Sequence, residues 1–156
     1  LNGIQIVAGA PGSLGTSYCG PAVPNTTGSS AVITAAGSVS AAANNLTLTA
    51  SAMPANQFGF FLTSMTQGLV PMPGGSQGNL CLSGTIGRYV AAGQIMNGGA
   101  NGTFSLLLNL TQTPAGPVFV AVTAGQTWNF QAWFRDIGPM GQPLSNFTDG
   151  RSITFN

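Results

Sequence analysis

Apolar residues in this chain come in short runs set between glycine and proline. The runs are AVITAAG (31–37), NLTLTAS (45–51), QFGFFLTS (57–64), GNLCLSG (78–84), GRYVAAGQI (87–95), GTFSLLLNL (102–110), PVFVAV (117–122), TWNFQAWFRD (127–136) and RSITFN (151–156). Most are of strand length and rich in Val, Ile, Thr, Phe and Leu, residues that suit a half-buried pleated surface. They follow one another at spacings near a dozen residues, and none carries a helical period. The pattern predicts an all-β fold, an antiparallel β-sandwich or jelly-roll-like architecture. Asp149-Gly150 sits between two apolar runs and reads as a type I′ hairpin turn. VPMPGGSQG (70–78) and NGGANG (97–102) read as loops.

The first 17 residues stand apart. LNGIQIVAGAPG (1–12) alternates as a strand does, with Ile4, Ile6 and Ala8 on one face and Gly3, Gln5 and Val7 on the other. GAPGSLGTS (9–17) follows as a flexible hinge. Two regions are therefore expected: an N-terminal extension over 1–17 and a sandwich domain over 18–156. A tethered apolar strand needs a sheet edge, its own domain's or that of another copy. In the second case Leu1, Ile4, Ile6 and Ala8 form the subunit interface. Leu1 is not an initiator residue, so a removed signal peptide is expected, which places the chain outside the cytoplasm at the cell surface.

Within TWNFQAWFRD, alternation divides the strand into two faces. Trp128, Phe130, Ala132 and Phe134 read as core. Asn129, Gln131, Trp133 and Arg135 read as an outer face, and Trp133 with Arg135 becomes a candidate surface contact. That pair suits a sugar-stacking platform or a subunit interface, and an ordinary packed tryptophan is the alternative to both.

Composition narrows the functions. With 156 residues and 44% apolar content the chain is long enough for one well-filled core. Its only charged residues are Arg88, Arg135, Arg151, Asp136 and Asp149, and it has no histidine. A net charge of +1 makes no basic stripe, which argues against nucleic acid and anionic membranes as partners. No apolar stretch reaches the roughly 18 to 20 residues that span a bilayer. Weak colloidal repulsion favours self-association.

General acid–base and nucleophilic catalysis need a histidine, a lysine or a tuned carboxylate. Only Asp136 and Asp149 qualify, the first reading as an ion pair or turn cap beside Arg135 and the second as part of its turn. No enzyme activity, cofactor or metal is expected. Cys19 and Cys81 are too few and too far apart for a zinc site or a CxxC motif, leaving a disulfide or two buried thiols. Asn25, Asn45, Asn101, Asn109 and Asn146 each begin an N-x-S/T triplet and are possible glycosylation sites. Threonine in strands and asparagine in turns also produce such triplets.

Four segments carry a family resemblance: YCGPAVPNTTGSSAVITAAGS (18–38), GGSQGNLCLSGTIGRY (74–89), GQTWNFQAWFRD (125–136) and SNFTDGRSITF (145–155). From Tyr18 onward the chain resembles an uncharacterised β-rich domain of secreted proteins in planctomycetes and related bacteria. The resemblance implies a secreted β-domain with Cys19 and Cys81 in paired positions, and it assigns no activity. It leaves residues 1–17 uncovered. The functional expectation is a structural subunit of an extracellular, pilus-like filament, a homopolymer joined head-to-tail by donation of the N-terminal strand. The alternative is a secreted cell-surface binding or adhesion module for glycans or other surface ligands.

Overall fold

The computed structural model describes residues 12–156. In chain order its strands begin with β1 (Thr16–Tyr18), β2 (Val32–Gly37), β3 (Leu46–Ser51), β4 (Phe58–Ser64) and β5 (Thr66–Pro71). There follow β6 (Asn79–Ser83), β7 (Gly87–Arg88), β8 (Met96–Asn97), β9 (Phe104–Leu107) and β10 (Thr113–Ala115). The last are β11 (Val118–Val120), β12 (Thr127–Ile137), β13 (Pro143–Phe147) and β14 (Gly150–Thr154). The chain is an all-β sandwich, as the spacing of its apolar runs predicts, and every strand pairing is antiparallel.

The long β12 organises the main sheet. One side of it pairs with β4, which in turn pairs with β7 and β8. Its other side pairs with both β13 and β14, and β14 carries β1. A smaller sheet, β2-β3-β9, lies on one face of the main sheet. Between the two sits the core, where Ile33, Leu46 and Leu48 of the small sheet meet Phe61, Phe130, Phe134 and Ile153 of the main one, all fully buried. The alternation in β12 assigns this face correctly, since Trp128, Phe130, Ala132 and Phe134 are all buried.

On the opposite face of the main sheet lies a hairpin, β5 with β6, whose loop contains a short 3-10 turn at Pro73–Gly75. Two buried amides hold it there. Gln131 accepts from Cys81 N through Oε1 at 2.9 Å and donates through Nε2 to the carbonyls of Asn79 and Thr148. Asn129 donates to Ser64 O and accepts from Gln67 Nε2. The expected outer face of β12 is thus half covered. Asn129 and Gln131 are buried under the hairpin, and only Trp133 and Arg135 lie beyond it.

Asp149-Gly150 is not a hairpin turn. The hairpin joining β12 to β13 is at 138–142, where Gly138 N donates to Gln142 O at 2.8 Å. Strands β13 and β14 run on one after the other along the same edge of β12. Between the pairs Trp133↔Phe147 and Phe130↔Arg151, the two residues Gln131 and Ala132 oppose the three residues Thr148, Asp149 and Gly150. That is a β-bulge, and it turns Asp149 out of the ladder toward β2. Gly150 is required for space instead: a Cβ there would run into the ring of Tyr18, its cross-strand partner.

The N-terminal division also changes. Residues 12–17 are built into the domain and do not act as a hinge: Leu14 N donates to Ala35 O at 2.8 Å, and β1 pairs with β14 through Tyr18. GRYVAAGQI is likewise not one strand, because bonding to β4 ends at Tyr89 and a turn closes with Gln94 N donating to Ala91 O. Two glycines and the small residues at 91–93 leave that run too little to bury.

Candidate binding cleft

Residues paired across neighbouring strands point to the same face of a sheet. The register therefore sets Phe147, Trp133 and Phe60 in one row across β13, β12 and β4. Leu62 pairs with Arg88 in the next row, under the margin of the hairpin. Where the hairpin ends, a cleft of about 420 Å³ opens, lined by Phe60, Leu62, Leu80, Arg88, Trp133 and Phe147, with Pro73 and Gly74 at its lip. Trp133 is half-buried, its ring centroid 5.1 Å from that of Phe60. The Arg135 guanidinium lies over the indole, 5.2 Å from its centroid, in cation–π contact. Phe58, on the same face two residues before Phe60, is 54% exposed and extends the aromatic surface.

The charged residues are distributed unevenly. Arg88 and Arg135 are exposed, and both stand at this cleft. Arg151 is half-buried and reaches the Ile33 and Gly15 carbonyls at 3.3 to 3.5 Å. Asp149 is buried: its Oδ1 accepts from Ile33 N at 2.9 Å and its Oδ2 from Ser17 Oγ at 2.7 Å. Asp136, also buried, accepts from Thr26 N and Ile137 N on one oxygen and from Gln77 Nε2 on the other. It caps backbone and pins two loops, and its contacts do not include Arg135. Both carboxylates therefore hold structure. A second cavity, of about 340 Å³ between β11 and Trp128, is lined by Met65, Val118 and Val120 and by no charged group.

Cys19 and Cys81 form a disulfide that ties the end of β1 to the hairpin, with Cα atoms 6.4 Å apart. Beside it Tyr18 Oη donates to Cys81 O at 2.9 Å. Burial, and next the Asp149 carboxylate, raise the Tyr18 hydroxyl well above its usual pKa. Burial does the same to Tyr89 in the core.

The five sequons separate by exposure. Asn25 and Asn146 are buried, and their Nδ2 groups donate to Ala52 O and Val23 O, so neither is free to carry a glycan. Asn45, Asn101 and Asn109 are exposed. Asn25 and Asn109 share a local motif in which Oδ1 accepts from both N and Oγ1 of the threonine two positions on. Part of the excess of triplets is this turn. The candidate interface residues Leu1, Ile4, Ile6 and Ala8 lie outside the described residues.

Sequence reasoning singled out Trp133 and Arg135 but missed Phe60, Phe147 and Arg88. Alternation within QFGFFLTS, which puts Phe58, Phe60 and Leu62 on one face, was the available signal for Phe60; Arg88 had none before its register was known. Among the described residues no helix is long and apolar enough to cross a membrane. No family model, no curated protein and no solved structure matches this chain.

Proposed function

We propose that this chain is an extracellular binding module whose Trp133 cleft takes a saccharide ring. The observation that carries the reading is the row Phe147, Trp133 and Phe60 along one wall of the cleft, with Phe147 buried and Trp133 and Phe60 half-buried. Apolar sugar faces stack on such rings while their hydroxyls stay in water, and about 420 Å³ falls within the ~300–1,000 Å³ usual for small-ligand sites. A disulfide in a small β-domain supports placement outside the cytoplasm. Titration calorimetry against a panel of neutral and acidic oligosaccharides tests it. Binding that Trp133→Ala abolishes, with the fold intact, is the expected result. A variant that binds as well as the parent overturns it.

A second reading, head-to-tail assembly through residues 1–8, is favoured by one edge of the small sheet. Leu108 N donates to Leu46 O, and with the β3–β9 register this turns the backbone groups of Ser105 and Leu107 away from β3. No strand of the described residues pairs there. The opposite edge, β2, is closed by Leu14, Ser13, Asp149 and Arg151. An open edge of this kind accepts a strand from another copy. Light scattering decides it: deletion of residues 1–9 yields a folded monomer from an assembling parent, and unchanged assembly ends the idea.

A further inference from the structure

We infer that the Trp133 cleft selects saccharides that carry a carboxylate, with Arg88 as the pairing residue; this rests on the saccharide reading above. Among the described residues, Arg88 and Arg135 are the only exposed charged side chains, and both belong to one site. Asp136 and Asp149 are buried with both oxygens engaged, so no exposed carboxylate opposes them. On a surface where charged residues make up 3% of the chain, those two guanidinium groups set the sign of the local potential. Arg88 lines the cleft directly, whereas Arg135 lies over the Trp133 ring and does not line it. Their roles differ accordingly. Arg88 meets the ligand's charge, and Arg135 orients the indole while adding to the field.

The backbone under Arg88 is firmly placed. It pairs with Leu62, Tyr89 N after it donates to Phe61 O at 2.9 Å, and Gly87 before it packs so closely on the Pro114 carbonyl that no Cβ fits. A planar guanidinium on a fixed strand, next to an aromatic wall, matches a planar carboxylate on a stacked ring. Two parallel N–H···O bonds then form at once. A uronic acid combines those two features in one residue.

The test uses the whole chain with a hexamer of galacturonic acid and the same hexamer fully methyl-esterified, which keeps the shape and removes the charge. The acid form is expected to bind at least about tenfold more tightly than the ester. Arg88→Gln should cut most of that preference by weakening acid binding far more than ester binding, and Arg135→Gln should weaken both forms. Raising salt from about 50 to about 300 mM should weaken acid binding to the parent more than to Arg88→Gln. Equal binding of acid and ester overturns the inference and leaves the saccharide reading standing, as does equal loss of both in Arg88→Gln. If a neutral glycan binds through Trp133 and neither hexamer does, the inference also fails alone. If nothing in the panel binds, both fail.

Discussion

The two faces of β12 are built on different rules. Toward the small sheet, Trp128, Phe130, Ala132 and Phe134 pack into an apolar interior with no exposed atom of consequence. Toward the hairpin, Asn129 and Gln131 are just as buried, but they act as extra backbone, bonding Gln67 of β5 and Asn79 and Cys81 of β6, strands that do not pair with β12. Two residues further along the same face, the cover stops and Trp133 and Arg135 emerge. Apolar packing tolerates small shifts in position, whereas a buried amide network fixes one placement, because every unmade bond there costs desolvation. The face that carries the cleft is therefore the one whose cover is fixed by hydrogen bonds as well as by the small apolar cluster of Leu62, Leu82 and Phe147. A cleft bounded by that cover inherits its precision.

The largest loss of stability is expected on the apolar side. Phe130→Ala empties a fully buried site in the middle of β12 and is expected to cost about 3–5 kcal/mol. For a domain of this size that lowers Tm by roughly 10 °C or more. Calorimetry reads it directly, and a loss below about 1 kcal/mol would mean that this face is not the principal core. Next comes the amide side. Gln131→Leu keeps the bulk and strands Cys81 N, Asn79 O and Thr148 O. About 2–3 kcal/mol should be lost. Hydrogen exchange should also speed up at the amide of Cys81 while the amides of β2 and β3 stay protected. If exchange accelerates equally in both places, the hairpin and the small sheet are one cooperative unit and the division made here is wrong.

How much of this was legible in the sequence follows from the same contrast. Alternation named the apolar face of β12 residue by residue, because burial there depends only on side-chain polarity and period. It misplaced Asn129 and Gln131, since an amide at the surface and an amide bonded to a covering hairpin have the same identity and spacing. Asp149-Gly150 was misread for a related reason. The dipeptide satisfies a hairpin turn locally, but Tyr18 and Ile33, both more than 100 residues away in sequence, decide its conformation. Trp133 and Arg135 were visible as a pair, while the cleft needed β4, β7 and β13 brought alongside.

The two tyrosines distinguish the two faces through pH. Tyr89 lies in the apolar core and Tyr18 on the hairpin side, bonded to Cys81 O. Both hydroxyls have folded pKa values raised above the ordinary 10.0, so the folded chain keeps protons that the unfolded chain gives up. Their stabilising contribution is complete below pH 10.0 and declines as pH rises above it toward the folded values. Tm is expected to fall steadily above about pH 10. Tyr18→Phe should flatten part of that fall, and absorbance of tyrosinate should appear only with unfolding. Ionisation of both tyrosines at pH 10 in a protein that is still folded would contradict their burial.

The smallest expected effect belongs to the tryptophan that matters most for binding. The chain has two, one on each face of β12: Trp128 is 2% exposed, and Trp133 is half-buried beside the cleft. Removing Trp133 forfeits its contact with Phe60 and the Arg135 cation–π pair, together about 1–2 kcal/mol. Trp128→Ala should cost about 3–5 kcal/mol. Each single variant leaves one indole as the sole reporter of its own face. Emission from Trp133 in Trp128→Phe should be quenched by iodide and should shift when an oligosaccharide binds, while Trp128 in Trp133→Ala should do neither. A binding site also tolerates loss of its platform without loss of the fold. If Trp133→Ala instead melts as low as Phe130→Ala, the indole is a core residue whose edge happens to show, and the cleft is only a seam between hairpin and sheet.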